Sequence, residues 1–537
     1  MKKHHLVILI FFYLTFRPSF AELLIIQSSD NHSKYKRIDS FIKSTHKLIE
    51  DFKAKYPNGE VVFNFNGDYS GASSFSNFKG DKGKLGLELM GALAKEHTVL
   101  FTFGNHEAFD WLVDGIADDL FYEHLKYLDE KGVISLGSNT KLKERSQKYF
   151  KDKYDHYIGQ NHKVRFLGLQ LETFYEKVPN HNGNEVGEVL EVDGYEATLK
   201  REIVKAKEAG VQSLVASYHD TFGKVVKVTK KINDLLPSSL KIPVSFAAHD
   251  HVVDKTVIGE ATNIIDSGSN FDFSAVVLNN DGVFVSHEFF DKEKQLDISS
   301  EVSDFPDYLR KVGRKISKHV EDVRKLKSTG EKRLSVIKES KLTLKKSRST
   351  VLGDALGDAL VMHGNKELSL EEKSKVKGII GMFNSSSYRN DSILDTGYLD
   401  EFELREMFPI KNEVNILKMT GEDIQIFFES LRRFREKEGI FTPQMSKNIR
   451  EKANFRLEFE GQKGWQALDK KGSYYVVVDH WLAINGYAIP EHDGLDLASK
   501  VISKESTFEV FRRYLYESLK ENYSNSLSCT KLLQSVL

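Results

Sequence analysis

Five short apolar runs in the first half of this chain each lead directly into Asp, Asn, His or Glu, the residue types that commonly ligate metals. Leu23–Ile26 leads to Asp30 and His32, and Val61–Asn66 to Asp68. Val99–Thr102 leads to Asn105, His106 and Glu107, Ser213–Ser217 to His219, and Val244–Ala248 to His249 and His251. Short apolar β-rich runs of this length read as buried strands, and Val164–Leu169 adds another. Helical candidates at Ser40–Lys55, Leu85–Lys95 and Tyr195–Ala209 lie between them. Such alternation implies an α/β layered domain, in which ligands gather at the carboxyl ends of the strands. The metal-binding residue types therefore share one rim.

Their chemistry is coherent. Asp and Asn give hard oxygen donors, and imidazoles suit zinc, manganese or iron. A carboxylate bridging two such ions makes a clamp about 3.5–4 Å wide, matched to in-line displacement at phosphorus. Taken singly, an Asp-x-His or a histidine after a strand says little. Gly104-Asn105-His106-Glu107 after an apolar strand says more, and the five segments together point to two divalent metals.

With 537 residues, the chain exceeds a single core and calls for two or more domains. Lys2 and Lys3, the apolar run Leu6–Phe16 and Ser19-Phe20-Ala21 have the layout of a secretory signal peptide over 1–21. That run is too short to span a membrane, and no later segment looks like a span. Cys529 is the sole cysteine, so neither an intramolecular disulfide nor a thiolate metal cage is available. These features suit a bacterial periplasmic or secreted protein. A net charge of −1 offers no overall attraction to nucleic acid, so no stable complex with it is expected. Between Leu309 and Arg348, however, 15 Lys or Arg face four acidic residues. This basic stretch reads as a helical linker over 296–346, or as a funnel for an anionic substrate.

The metal segments, in this order, resemble those of the calcineurin-like metallophosphoesterases, and more narrowly the two-domain 5′-nucleotidase and UDP-sugar hydrolase family. The resemblance implies a four-layer α/β/β/α metallophosphoesterase domain over 22–295 and a mixed α/β 5′-nucleotidase-type domain over 347–537. It implies that Asp30, His32, Asp68 and His251 hold one metal, while Asp68, Asn105, His219 and His249 hold the other. His106 becomes the catalytic histidine. The family places an Asp three positions after that histidine; here Asp110 comes one later, so either Asp110 or Glu107 is its partner.

In the second half, Leu352-Gly353-Asp354 and Ala355-Leu356-Gly357-Asp358-Ala359 resemble the opening of the family's C-terminal domain. Asn384-Ser385-Ser386-Ser387-Tyr388-Arg389 resembles its Asn-Gly-Gly-Gly-Ile-Arg loop. The resemblance implies phosphate contacts from Arg348 and Arg389, a base contact from Asn384, and aromatic stacking from Phe441 and Tyr487. The last position departs from the family, since Leu482–Ile489 lacks the ribose-binding Asp and places Ile489 where an aromatic is expected. The expected substrate is a small phosphorylated molecule, foremost a 5′-nucleotide or UDP-sugar. Cyclic nucleotides and other organophosphates are the alternative, and an inactive binding protein on the same fold is a second.

Overall fold

In the computed structural model the described residues are 22–71, 73, 83–107, 117–142, 145–159, 161–172, 190–259, 261–297, 305–328, 335–336, 351–384, 398–399, 408, 413–438, 443–452, 456–461, 464–479, 482–483 and 500–523. The chain divides into two compact units, residues 1–322 and 323–537.

The strands of the first unit follow in chain order. They are β1 (Leu23–Ser28), β2 (Glu60–Asn66), β3 (Thr98–Thr102), β4 (Ile134–Leu136) and β5 (Thr140–Leu142). Next come β6 (Phe150–Lys151), β7 (Tyr154–Ile158), β8 (His162–Leu169), β9 (Leu190–Val192) and β10 (Ser213–Tyr218). The last are β11 (Lys241–Ala247), β12 (Val253–Ile258), β13 (Thr262–Ser267), β14 (Phe273–Leu278) and β15 (Phe284–Phe290). They form a seven-stranded sheet, β15-β14-β1-β2-β3-β4-β6, a six-stranded sheet, β12-β13-β11-β10-β8-β7, and the separate pair β5-β9. The central strands β1 to β4 run parallel, as do β8, β10, β11 and β13. Their carboxyl ends therefore lie on one edge of each sheet.

Alternation along the strands builds the layers. Leu23 and Ile25 of β1, Val62 of β2 and Leu100 of β3 pack against Val164 and Phe166 of β8 and Val215 of β10, forming the core between the sheets. The intervening residues face outward. Leu167, Leu169, Leu214 and Ala216 meet Tyr195 and Leu199 of helix Tyr195–Glu208 and Val225 and Ile232 of helix Phe222–Asn233. On the other sheet, Phe65 of β2 and Phe273 of β14 meet Phe41 of helix Ile38–Lys55, with ring centroids 6.4 and 5.5 Å apart. Helix, sheet, sheet, helix is the four-layer arrangement expected. Strands and helices lie where the apolar runs placed them. The β14–β15 hairpin and edge strand β12 are additions, since β12 and β15 are too exposed to stand out as apolar runs.

Helix Asp307–Ser328 occupies part of the basic stretch. It buries Leu309 and Ile316. Its Lys315 pairs with Glu88 at 2.5 Å, and Ser317 donates to Asp39 at 2.6 Å. Arg310, Lys311 and Arg314 remain exposed.

The second unit is organised by a mixed five-stranded sheet in the order Pro443–Met445, Ile379–Asn384, Ser473–Asp479, Glu413–Thr420, Lys500–Ser506. Alternation again gives two faces. Tyr475 and Val477 pack with Leu356 and Leu360 of helix Val351–Glu367 and Phe511 of helix Thr507–Tyr523. Tyr474, Val476 and Val478 pack with Ile424 and Phe428 of helix Gly421–Glu438. The repeated Leu-Gly-Asp-Ala segment forms the core-facing part of helix Val351–Glu367, where Gly357 lets the helix approach the Met445–Ser446 backbone and the bare Gly381 leaves room for the Gly357 carbonyl.

Candidate metal centre

Two backbone ladders set the centre. Beyond β1 and β2 the chain continues side by side: Asp30 N–H donates to Gly67 O at 3.0 Å, His32 N–H to Asp68 O at 2.8 Å, and Ser33 N–H to Tyr69 O at 2.9 Å. This register holds Asp30, His32 and Asp68 together. His219 is anchored across the other sheet by its N–H to Leu169 O at 2.8 Å. His249 is anchored by its N–H to the Asp30 carboxylate at 3.0 Å.

The turns that carry the donors are strained. Asp30, His32, Asp68, His249 and His251 have φ of 51, 46, 49, 73 and 57°, so five of the seven candidate ligands lie in the left-handed region. A side chain there costs about 1–2 kcal/mol. Neighbouring glycines give the rings room. A Cβ at Gly67 would stand 2.7 Å from His219 Cγ, one at Gly71 2.7 Å from His32 Nδ1, and one at Gly104 2.6 Å from His219 Nε2.

Three groups of donors result, each with its ligand atoms within 4.8 Å of one another: Asp30, His32 and His251; His32, Asp68 and His106; and Asp68, His219 and His249. Asp68 belongs to two of them, the position of a bridging carboxylate. His32 Nε2 and His251 Nε2 are 2.9 Å apart, and His251 Nε2 is 3.6 Å from Asp30. Asn105 joins the other end, its Oδ1 3.1 Å from His219 Nε2.

The donor set fits two cations. With Nδ1 of His219 donating to Asn66 O at 3.0 Å, its Nε2 lone pair faces Asp68 Oδ2 at 3.2 Å and Asn105 Oδ1. Oxygens and a nitrogen lone pair converge there, which calls for a proton or a metal between them. Protonation shows the same demand. Burial opposes a charged His219, yet the Asp68 and Asp30 carboxylates hold its pKa up at about 10. Burial pushes Asp30 up to about 8, with Asp68 adding to the rise. Asp68 is also buried, but His219, His106 and His249 keep it well below the usual carboxylate range. Burial, aided by His219, pushes His249 down to about 4, leaving a neutral imidazole ready to coordinate.

His106 is half-buried beside these donors, with its ring centroid 4.8 Å from that of His32. Its backbone N–H donates to Asp68 Oδ1 at 2.8 Å. Glu107 is committed elsewhere. Its carboxylate, fully buried, accepts N–H groups from Asp68 at 2.9 Å, Ser70 at 2.7 Å and Gly104 at 2.7 Å. It is a brace for the ligand loops, a role its sequence position beside His106 conceals. Asp110, Arg348, Arg389, Phe441 and Tyr487 lie outside the described residues, and Asn384 closes strand Ile379–Asn384.

Comparison with known proteins bears on both halves. Residues 328–491 match the family model of the 5′-nucleotidase C-terminal domain. No curated protein matches the chain. Among solved structures, a 5′-nucleotidase precursor from Thermus thermophilus is similar with a TM-score of 0.64 at 14% identity, over 92% of this chain and 96% of that one. A sulfate thiohydrolase, SoxB, from the same organism is similar with a TM-score of 0.60 at 13% identity, over 93% and 95%. The 5′-nucleotidase from Candida albicans gives 0.59 at 13%, over 93% and 98%. Residues 328–491 thus match the 5′-nucleotidase C-terminal domain, a four-layer α/β/β/α domain precedes them, and the chain takes the two-domain fold of these solved structures.

Proposed function

We propose that this protein is a two-metal hydrolase of phosphate esters or anhydrides, acting on nucleotides or nucleotide-like molecules outside the cytoplasm. The observation that carries this reading is the shared placement of Asp68 between two donor groups at one rim. Asp30, His32, Asp68 and His251 would hold one divalent ion, and Asp68, Asn105, His219 and His249 the other; zinc, manganese and iron suit the set. Such a pair supplies an activated water and neutralises phosphoryl charge. His106, half-buried beside the donors, would bind a phosphoryl oxygen or give a proton to the leaving oxygen. Asp110 would orient it, since Glu107 is held by three backbone N–H groups. Arg348 and Arg389 would grip the phosphate, with Asn384, Phe441 and Tyr487 receiving the base. The signal-like layout of residues 1–21 supports an exported location, and among the described residues no helix is long and apolar enough to cross a membrane.

The test is an assay of metal-stripped and metal-replenished protein on AMP, ATP, a UDP-sugar, a 2′,3′-cyclic nucleotide and p-nitrophenyl phosphate, beside His106→Ala. Metal-dependent phosphate release from AMP or ATP, lost in His106→Ala, is the expected result. Turnover of the simple ester alone would remove the nucleotide assignment. No turnover with any metal would leave a binding protein.

A further inference from the structure

One short turn carries candidate ligands for both ends of the centre. His249 groups with Asp68 and His219, and His251 with Asp30 and His32. Only Asp250 separates them, and φ is 73° at His249 and 57° at His251. Backbone strain of this kind persists where the surroundings hold it in place. The side chain of Asp250 supplies such a hold. Its Oδ2 accepts the backbone N–H of Phe222 at 3.1 Å.

Phe222 opens the helix Phe222–Asn233 and stands three residues after His219. The first N–H groups of a helix have no partner within it, and the side chain just before the helix usually accepts one of them. Here Thr221 occupies that position, and its side chain makes no such bond. The acceptor comes instead from the turn after β11, and a carboxylate suits the positive end of a helix. A second bond joins the same two segments: Ala248 N–H donates to Asp220 O at 3.1 Å. Asp220 is itself held. Its carboxylate accepts Thr221 N–H at 2.8 Å and the Tyr195 hydroxyl at 2.8 Å, and pairs with Lys224 at 3.0 Å. Segment 219–222 is thus fixed to the helix layer, and segment 248–250 is fixed to segment 219–222. Asp250 also shares a hydrogen bond with the carboxyl group of Asp266, whose Oδ1 accepts Gly268 N–H at 2.9 Å. Asp266 lies in β13, the neighbour of β11.

We infer that Asp250 is a positioning residue for the metal centre, setting the spacing between ligands from two strands by tying the His249–His251 turn to the helix that follows His219. The inference rests on the two-metal reading of the site. It adds a distinctive pattern of loss. Because His249 and His251 serve different donor groups, removing the Asp250 bond reaches both ions, whereas removing His251 reaches one. A cap that served helix stability alone would leave both affinities as they are.

The experiment titrates the full metal-stripped chain with zinc and with cobalt(II), well below its thermal midpoint. Asp250→Ala should bind both ions about 10–100-fold more weakly, the size expected when a group that orients ligands is lost. Its cobalt absorption spectrum should change as well. Asp250→Asn keeps an oxygen for Phe222 N–H and gains an amide that can donate to Asp266, so it should restore near-native affinity. Val225→Ala removes a buried contact of the same helix, so it should lower the thermal midpoint and leave both affinities native. Phe222→Pro deletes the N–H from the other partner, at a position where proline suits the first turn of a helix. It should reproduce the loss whether or not Asp250→Ala folds.

Native affinity in Asp250→Ala or Phe222→Pro overturns the inference. So does an equal loss in Val225→Ala, which would make the effect one of helix stability. An Asp250→Asn no better than Asp250→Ala would place the effect in the charge rather than the bond, and overturns it too. A native chain that binds no divalent ion removes the two-metal reading and this inference together. Two ions bound by the native chain, with affinities indifferent to Asp250, remove this inference alone.

Discussion

The Glu107 carboxylate accepts the backbone N–H of Asp68 at 2.9 Å, so an acid adjacent to the candidate catalytic histidine supports the backbone of the candidate bridging ligand. With Ser70 and Gly104 bound as well, Glu107 joins the turn after β2 to the turn after β3. Glu107→Gln keeps the shape but turns an amide N–H toward one of these donors. Supporting groups of this kind are worth about 10–100-fold in metal affinity. Calorimetric titration with zinc or manganese should show a loss of that size. Unchanged affinity with lost turnover would instead make Glu107 a partner of His106.

Ligand sharing predicts unequal consequences of removing donors. The native chain should bind two divalent ions, by elemental analysis after dialysis. His251→Ala should retain one, because His251 belongs to a single donor group. Asp68→Ala should retain fewer than one, because Asp68 serves both ends. Equal stoichiometry in the two variants would contradict the bridging role.

Close approach at Gly104 gives a steric prediction. A Cβ there meets the Asp68 backbone N at 2.5 Å and His219 Nε2 at 2.6 Å, both in rigid surroundings. Gly104→Ala should abolish tight metal binding. Gly210→Ala is the control: its φ is 66° but nothing lies within 4 Å of its Cβ, so only the left-handed strain applies. That control should lose about 1–2 kcal/mol of stability and keep its metals. Metal titration beside chemical denaturation separates the two effects.

His124, on helix Ala117–Glu130, gives a pH dependence remote from the centre. Burial, with Lys84 adding, lowers its pKa to about 4. The unfolded chain takes up that proton near pH 6.5 and the native protein only near 4. Its contribution is therefore full above about pH 6.5 and is lost as pH falls toward 4, at most about 3 kcal/mol. His124→Gln should flatten that acid limb in thermal melts recorded across the range. An unchanged limb would show that His124 titrates normally in the folded protein.

The layers and the ligand rim were legible because both rest on local signals. An apolar run that ends abruptly on Asp, Asn or His is visible in sequence, and parallel strands bring such ends to one edge. What escaped is set by contacts between distant segments. Glu107 reads as an acid near His106 until the fold brings the Asp68 and Ser70 backbone to it. The left-handed turns at His32 and His251 carry no glycine to announce them. Gln27, Thr102 and Gln170 look like ordinary strand ends, and only the facing sheet shows them to be enclosed. The β14–β15 hairpin has a local mark, Asp281-Gly282, although its half-exposed second strand weakens the apolar pattern.

The left-handed backbone at His32 and His251 has a bearing on how such a chain can change over generations. At these φ values glycine is the comfortable residue, and random substitution toward it would relieve strain. A chain with no use for the imidazoles would gain stability from glycine there and lose nothing. Histidine at both turns therefore carries a standing thermodynamic cost, which coordination of a metal by the imidazoles would offset. An inactive descendant of the same fold should be recognisable by glycine or asparagine at these two turns while the surrounding strands stay apolar.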